Sequence, residues 1–476
     1  MAHNWSVTSR ELANSICATL RGAGHQALLA GGCVRDLLLG REPVDFDTTT
    51  DATPEQVMAL FPDSLAIGAQ FGVVQVWRGD LKVEVATFRA DTGYSDGRHP
   101  DGVIYTKSPQ EDVQRRDFTI NGLLMRPETG EVLDFVGGQA DLRAGVIRAI
   151  GEPDRRFSED KLRLMRAVRF AARFGFAIEP ETSAAIWRRA NEIRSVSAER
   201  LRDELTKILT EGESRRGFEL LDETGLLVEV LPEVPAMKGV QQPPQYHPEG
   251  DVWTHTLMMI EGLPAGCSPT LAWGVLLHDV GKPPTFRSAK ETGDRIRFNN
   301  HVDVGVTMAE AICRRLRFSN EETTQILALI ANHMRFKDVE RMRPSTLKRF
   351  VRMPLFGEHM ALHRLDCLSS HRRLDAYEFV GRLLKETPAE SIHPPKLLTG
   401  DDLQEMGYQP GPLFSEILRS LEDAQLEGRI ATREQAEEHV RRRFRQRREA
   451  RPEGQVENAD RDGRSSGSVR SKASRK

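Results

Sequence analysis

Asp45 and Asp47 stand two residues apart in Asp45-Phe46-Asp47, a segment that reads as a strand following the turn at Glu42-Pro43. Residues i and i+2 of a strand share a face, so the two carboxylates are expected side by side with Phe46 pointing into the core. Such a pair suits Mg²⁺. Hard divalent cations prefer oxygen ligands, and paired ions about 3.5 to 4 Å apart activate an attacking hydroxyl and neutralise a leaving pyrophosphate. A third carboxylate usually completes such a site from a neighbouring strand. Glu84, in Leu81-Lys82-Val83-Glu84-Val85, is the candidate; a charged residue between β-branched neighbours faces either solvent or the site.

Just before the Asp pair, Leu28 to Gly40 reads LLAGGCVRDLLLG: a short apolar strand, a Gly31-Gly32 turn and a helix. Adjacent glycines let backbone N–H groups approach a triphosphate with no Cβ in the way, and the following helix points its positive end at the same anion. Arg35, one turn into that helix, adds a charged fork for a phosphate. Farther on, Arg115-Arg116-Asp117 pairs two basic residues with an acid, a pattern that suits phosphate binding with Asp117 holding the fork, or a surface ion pair.

Phe157 to Phe176 reads FSEDKLRLMRAVRFAARFGF, with Ser158 as the expected N-cap. Arg163, Arg166, Arg169 and Arg173 form one stripe, while Leu162, Met165, Val168 and Ala172 occupy the opposite face, so folding is not expected to require the arginines. Asp160 and Arg163 lie one turn apart and offer an acceptor and a donor fork to the same space. Cytosine N4 and adenine N6 are both amino donors beside a ring-nitrogen acceptor, so this pair accepts both bases, whereas guanine and uracil present mismatched groups. Selection of C and A without a nucleic-acid template follows.

The elements that must position these groups differ along the chain. From Gln26 to about Ile150, β-branched runs such as Gly72 to Trp77 and Leu81 to Phe88 alternate with helical segments and Gly-rich turns. From Phe157 onward strand signals vanish, and Lys161 to Arg173, Ala198 to Leu209 and Arg216 to Leu227 read as amphipathic helices. A Pro-rich break at Gln241 to Pro248 precedes a histidine-bearing stretch from about Asp251 to Phe336. After Arg451 scarcely an apolar residue remains, and the basic helix end at Arg441 to Arg448 leads into a tail read as disordered, either solvated surface or an RNA-binding arm.

A chain of 476 residues exceeds one core, so roughly two to four domains are expected. Its 39% hydrophobic and 29% charged residues fit a helix-rich soluble protein. No run approaches the roughly 18 apolar residues of a membrane span, and Met1 to Ile16 lacks an apolar signal core, so no membrane partner and a cytoplasmic location are expected. Cys17, Cys33, Cys267, Cys313 and Cys367 show no framework spacing and read as reduced. A net charge of −3 excludes a uniformly basic nucleic-acid binder, leaving a segregated positive groove.

In order, GG-x-V-R-D with D-x-D, RRDFTIN, and ED-x-x-R followed by arginines at three-residue steps resemble the bacterial class II tRNA nucleotidyltransferase and poly(A) polymerase family, of the polymerase β superfamily, over roughly the first 210 residues. The resemblance implies an α/β nucleotidyltransferase head followed by an all-α neck, body and tail, a multi-domain and mostly helical protein. It implies nucleotide contacts at Gly32, Arg35, Arg116, Asp160, Arg163, Arg166 and Arg169 and metal ligands at Asp45 and Asp47; with Glu84, the candidate from the neighbouring strand, Asp45 and Asp47 are the expected catalytic carboxylates. Mg²⁺, ATP, CTP and tRNA are the implied cofactor and partners, and addition of CCA to the tRNA 3′ end the implied activity. Asp91 to Gln110, with Gly93, Gly97 and Gly102, sits where the family has a flexible loop linked to adding the terminal A. Poly(A) addition, or CC-only or A-only addition, are the neighbouring alternatives.

His255, His278-Asp279, His301, His333 and Asp366, with LLHDVGK, resemble the ligand order of HD domains. Imidazoles and carboxylates converging from several helices bind one or two divalent metals. The analogy implies phosphohydrolase activity toward phosphate monoesters or 2′,3′-cyclic phosphates, or a body that keeps its ligands without turnover. An HD phosphohydrolase whose head only binds RNA is the alternative from another class. The expected division is 1–150 head, 151–240 helical neck and RNA-binding region, 241–345 HD domain, 346–450 helical tail and 451–476 disordered basic tail.

Overall fold

The Gly31-Gly32 turn follows β1 (Ala27–Ala30), an inner strand whose four residues are all buried. This is seen in a computed structural model that describes residues 8–67, 72–93 and 102–445. Ala27 and Leu29 join the main core below the sheet, while Leu28 and Ala30 pack with Phe88, Val113 and Leu124 on the other side. Burial on both faces is why β1 reads as an unbroken apolar run.

The remaining strands are β2 (Asp47–Thr50), β3 (Ser64–Ala66), β4 (Val73–Arg78), β5 (Leu81–Thr87), β6 (Arg89–Thr92), β7 (Gly102–Tyr105), β8 (Leu123–Met125) and β9 (Val132–Asp134). Six of them join β1 in one mixed sheet in the order β3-β4-β5-β2-β1-β8-β9, and β6 pairs with β7 as a separate antiparallel hairpin. Strands β2 and β5 run parallel, with Asp47 opposite Glu84; β1 is antiparallel to both β2 and β8. The two expected strands lie within a residue of the observed β4 and β5. In the hairpin segment, Gly97 lies outside the described residues.

One expectation is corrected here. Only Asp47 belongs to β2; Asp45 sits in the bend before it, so the two do not share a strand face. Phe46 is buried as expected, at 3% exposure, and anchors the bend from below.

Beyond the sheet the chain is helical, apart from two-residue pairs joining Val146–Ile147 to Ala177–Ile178 and Phe286–Arg287 to Arg297–Phe298. Ser158 caps nothing. It lies inside a helix that starts at Pro153 and ends at Glu159, and its Oγ donates to Arg155 O at 2.7 Å. Asp160 then takes an extended backbone, and the arginine helix starts at Arg163 and runs to Phe174, closed by Gly175 at φ 69. The helix expected over Arg216 to Leu227 is two, Ser214–Glu223 and Leu226–Val230, broken at Gly225, whose φ of 74 interrupts the helical run.

The chain forms two compact units. The first takes in the chain through Glu340 together with Pro354–Val380. Its continuous core runs from Leu12 in the head to Trp273, Leu329 and Leu365 among the histidine-bearing helices. The helix carrying Asp366, Phe356–Ser369, therefore packs with the helices before residue 345, because Leu362 and Leu365 are part of that core. The second unit, Arg341–Met353 with the chain from Gly381, has its own core of Leu403, Ile417, Leu421, Ala424 and Val440. Its last described helix is Arg433–Arg443; Gln446 to Arg448 and the 451–476 tail lie outside the described residues. No helix among the described residues is long and apolar enough to cross a membrane.

Candidate functional site

A cavity of about 550 Å³ opens over the ends of β1, β2 and β5, and Gly31, Gly32, Asp47 and Glu84 line it. Asp47 and Glu84 face it because alternation turns Val83 and Val85 into the core and leaves Glu84 on the open face. Gln75, opposite Glu84 on β4, donates its Nε2 to Glu84 Oε1 at 3.2 Å. The Asp47 carboxylate is open to the cleft, yet surrounding protein strips much of its hydration. That desolvation, with the Glu84 charge beside it, pushes its carboxyl up to about 6 against the pull of Arg116. Asp45, exposed on its bend, adds a further negative charge near Asp47 but does not line the cavity. Asp47 and Glu84 thus present two carboxylates to the cavity, the kind of oxygen donor a hard divalent cation prefers.

Gly31 has φ 70, and a Cβ there would come within 3.0 Å of Arg116 Nη1. Glycine thus lets a guanidinium close over the turn. Arg35 is 4% exposed: Nη1 donates to Asn121 Oδ1 at 2.6 Å, Nε to Asp36 Oδ1 at 2.8 Å, and its Cζ lies 4.5 Å from the Phe174 ring centroid. Arg116 is held by Asp112 at 3.1 Å. The Asp117 fork-holding role falls elsewhere than the sequence pattern indicates. Asp117 Oδ2 accepts from Arg166 Nε at 3.0 Å and Nη2 at 2.7 Å, while its Oδ1 accepts from Asn121 Nδ2 at 3.0 Å. Although burial opposes its charge, Arg166 and Asn121 hold the Asp117 carboxyl well below the usual carboxylate range. Asn121 therefore bridges Arg35 to Asp117 and fixes both sides of the cleft.

The arginine stripe divides. Arg163 and Arg166 line the cavity with Asp160, but Arg169 does not. Arg169 is 6% exposed, and its Nε donates to Glu204 Oε2 at 2.7 Å and its Nη1 to Glu211 Oε2 at 3.2 Å. Its role is a buried ion pair, so the stripe is not dispensable for folding as its opposite face suggested. Arg163 Nη1 donates to Glu159 Oε2 at 2.9 Å and Nη2 to Arg115 O at 3.0 Å, rather than pairing with Asp160. Asp160 is held instead by Arg200, whose Nη2 lies 2.8 Å from Oδ2. Arg200, Glu204, Asp112 and Asn121 escaped the sequence reading; the one available signal was Arg200 and Glu204 one turn apart on a single helix.

The histidine cluster forms a second site, beside a cavity of about 840 Å³. Backbone carbonyls three residues earlier hold the Nδ1 atoms of His278, His301 and His333, at 2.8, 2.9 and 2.7 Å. Each ring therefore turns Nε2 inward. His301 Nε2 and His333 Nε2 lie 3.9 and 3.8 Å from Asp279 Oδ1, and His278 Nε2 lies 3.0 Å from Asp279 Oδ2. His255 Nε2 faces Asp366 Oδ1 at 3.3 Å. Gly281 makes this convergence feasible: a Cβ there would stand 2.1 Å from His301 O.

The Nε2 atoms of His278, His301 and His333 and the Asp279 Oδ1 are buried without a hydrogen-bond partner among the described residues. Unpaired polar atoms converging in this way are the mark of a cation site. Two groups sharing Asp279 could hold an ion, one with His255 and His278, the other with His301 and His333. Burial pushes His333 down to about 4 and so keeps it the neutral ligand form, while Lys282 Nζ, 2.6 Å from Asp279 Oδ2, balances the carboxylate. His247 stands in the Pro-rich break and Glu249 directly after it, so neither was read together with His255, which they contact.

The sequence matches the poly A polymerase head domain over residues 27–148, the region described as "Probable RNA and SrmB- binding site of polymerase A" over 175–237, and the HD domain over 252–366. The CCA-adding enzyme of Bacillus cytotoxicus is 28% identical over 89% of this chain and 96% of its own length. Along most of its length the chain is similar to CCA-adding enzymes, and its head, RNA-binding and HD regions each match a separate family model. The CCA-adding enzyme of Geobacillus stearothermophilus is 44% identical over 44% of this chain, and in such matches the chain spans about half the length of the curated relatives, 52% in this case. Among solved structures, that of the Bacillus stearothermophilus CCA-adding enzyme in complex with CTP covers 92% of this chain and 99% of its own, with 26% identity and a TM-score of 0.70. The family head thus coincides with the sheet and its carboxylates, and the HD match extends to Asp366.

Proposed function

We propose that this protein adds C and A nucleotides from CTP and ATP to the 3′ end of tRNA without a template. The observation that carries the reading is Asp47 and Glu84 in register on β2 and β5, on the floor of a cleft whose wall holds Asp160, Arg163 and Arg166. Asp45, Asp47 and Glu84 would hold Mg²⁺, which when bound neutralises charge on the reacting phosphates and favours the ionised attacking hydroxyl. Gly32, Arg35 and Arg116 hold the triphosphate. The tRNA 3′ oxygen attacks the α-phosphorus in line, the new O3′–P bond forms, and the bond to the pyrophosphate oxygen breaks. Asp160, fixed by Arg200, accepts from the exocyclic amino group of C or A, and Arg163 donates to the adjacent ring nitrogen. The named relatives and a related structure holding CTP support this donor and product.

The test is extension of a tRNA lacking its 3′ end, with CTP alone, ATP alone, or both. Three additions requiring both nucleotides is the expected product. A long A tail would move the reading to poly(A) addition, CC or A alone to a specialised relative.

A second reading concerns the HD domain, and the unpaired Nε2 atoms around Asp279 favour it. We infer a metal-dependent phosphohydrolase acting on phosphate monoesters or 2′,3′-cyclic phosphates. His255, His278, Asp279 and Asp366 would hold one divalent ion, and Asp279, His301 and His333 a second. The domain division adopted is the head to about residue 150, a helical neck, and an HD domain that includes the helix of Asp366.

A further inference from the structure

Glu249 belongs to His247-Pro248-Glu249-Gly250, the end of the Pro-rich stretch that precedes the first HD histidine. A single oxygen of its side chain, Oε1, accepts from His255 Nδ1 at 2.7 Å and from His247 Nδ1 at 2.8 Å. The segment is fixed rather than loose. Two residues on, Asp251 Oδ1 accepts from Thr254 N at 2.8 Å to cap the helix Val252–Glu261, and its Oδ2 accepts from Gly239 N at 2.6 Å.

His255 is held differently from the other inward-facing histidines. His278, His301 and His333 each donate Nδ1 to a backbone carbonyl three residues earlier, whereas His255 donates to a carboxylate. A carboxylate behind a metal-ligating imidazole fixes its tautomer and ring angle and makes its other nitrogen more basic. The side chain of Glu249 is 5% exposed, and its second oxygen, Oε2, is buried without a hydrogen-bond partner among the described residues. Burying an unpaired carboxylate oxygen is costly, so a carboxylate kept there against that cost has a use that local folding does not supply.

We propose that Glu249 is a positioning residue of the HD metal centre: it aims His255 Nε2 at the ion, and the same oxygen holds His247 as a wall of the adjoining cavity. The proposal rests on the reading that the HD cluster binds a divalent cation, and it extends the centre into a segment that reads as a linker.

The experiment uses the full chain with Asp45→Asn and Asp47→Asn, so that the head no longer competes for metal, stripped of metal and titrated calorimetrically with Mn²⁺. His278→Ala in that background is expected to remove binding; Mn²⁺ binding that persists there overturns the metal reading itself. Glu249→Ala is expected to weaken Mn²⁺ by about 10- to 100-fold. Glu249→Gln, which keeps an oxygen but not the charge, is expected to lie between it and the parent, and His247→Ala to stay near the parent. Melting of each metal-free variant checks folding, and if Glu249→Ala unfolds, the Gln variant carries the comparison. Parental affinity in a folded Glu249 variant, with His278→Ala silent, overturns the positioning role while leaving the metal site in place.

Discussion

Asp47 on β2 and Glu84 on β5 stand directly opposite each other in a parallel register, both lining the same cavity. Surrounding protein strips hydration from Asp47 and the like charge of Glu84 repels it, and together they push its carboxyl up to about 6. A bound cation reverses the sign of that interaction. Glu84→Gln is therefore expected to raise the melting temperature of the metal-free protein while lowering single-turnover nucleotide addition by about 10³-fold, the equivalent of several kcal/mol of lost charge stabilisation. Melting curves and extension rates on the same preparation decide it. A variant that loses stability and keeps its rate would remove Glu84 from the metal set.

The same carboxyl sets a pH dependence. Asp47 holds a proton below about 6 and is an anion above it, and only the anion is a good metal ligand. Addition is expected to rise through that pH and then level. Because the cation competes with the proton, raising Mg²⁺ should move the midpoint to lower pH. Rate–pH profiles at two Mg²⁺ concentrations give the answer, and a midpoint that ignores Mg²⁺ assigns the titration to another group.

Arg200 touches none of the expected triphosphate contacts, yet its Nη2 lies 2.8 Å from Asp160 Oδ2. Its loss should free Asp160, the proposed acceptor for the amino group of the base. Arg200→Ala is expected to reduce discrimination of CTP and ATP against UTP and GTP by roughly 1.5 to 3 kcal/mol, the worth of a charged hydrogen bond, with a smaller change for correct nucleotides. Comparing kcat/KM for all four nucleotides tests this. Equal losses for all four would make Arg200 a structural support only.

Arg169, on the arginine helix, offers a contrast through its pair with Glu204 on the Ala198–Thr210 helix. Both are buried, at 6% and 3% exposure, and their nitrogen and oxygen lie 2.7 Å apart. Removing one partner leaves the other charged in the interior. Arg169→Ala should destabilise the protein by about 3 to 5 kcal/mol, and Arg169→Met with Glu204→Leu should recover most of it. Urea unfolding measures both. Arg166→Ala, at a cavity-lining position, is expected to act mainly on nucleotide binding.

These pairs mark where sequence reading stops. The facing of Glu84 was legible because strand alternation leaves only two faces for a charge between valines, and the face open to the cavity is the one it takes. The Gly31-Gly32 turn and the histidine order were legible because each lies within one short segment or recurs in a known order. Arg200 was not, because its partner is 40 residues away and only packing of the Ala198–Thr210 helix on the arginine helix brings them together. For the same reason Asp117 looked like the partner of its neighbour Arg116 and is in fact that of Arg166, 49 residues on. Asp45 misled because i, i+2 spacing predicts a shared face only inside a strand, and β2 begins two residues later. Glu249 was hidden by the prolines around it.

The two sites of the first unit are built from separate residues, and substitutions should separate their chemistry. His278 is 1% exposed at the C-terminal end of the helix Pro269–Leu277, where its Nδ1 holds the backbone and its Nε2 turns toward Asp279. His278→Gln removes a metal donor and leaves a polar side chain of similar size, so the helix end should survive. Hydrolysis of a nucleoside 2′,3′-cyclic phosphate is expected to fall to background in this variant while CCA extension stays near the parent rate. Asp47→Asn should show the reverse pattern. Both activities lost together from a folded His278→Gln protein would mean that the HD cluster supports the head, and that the hydrolytic reading of the cluster is wrong.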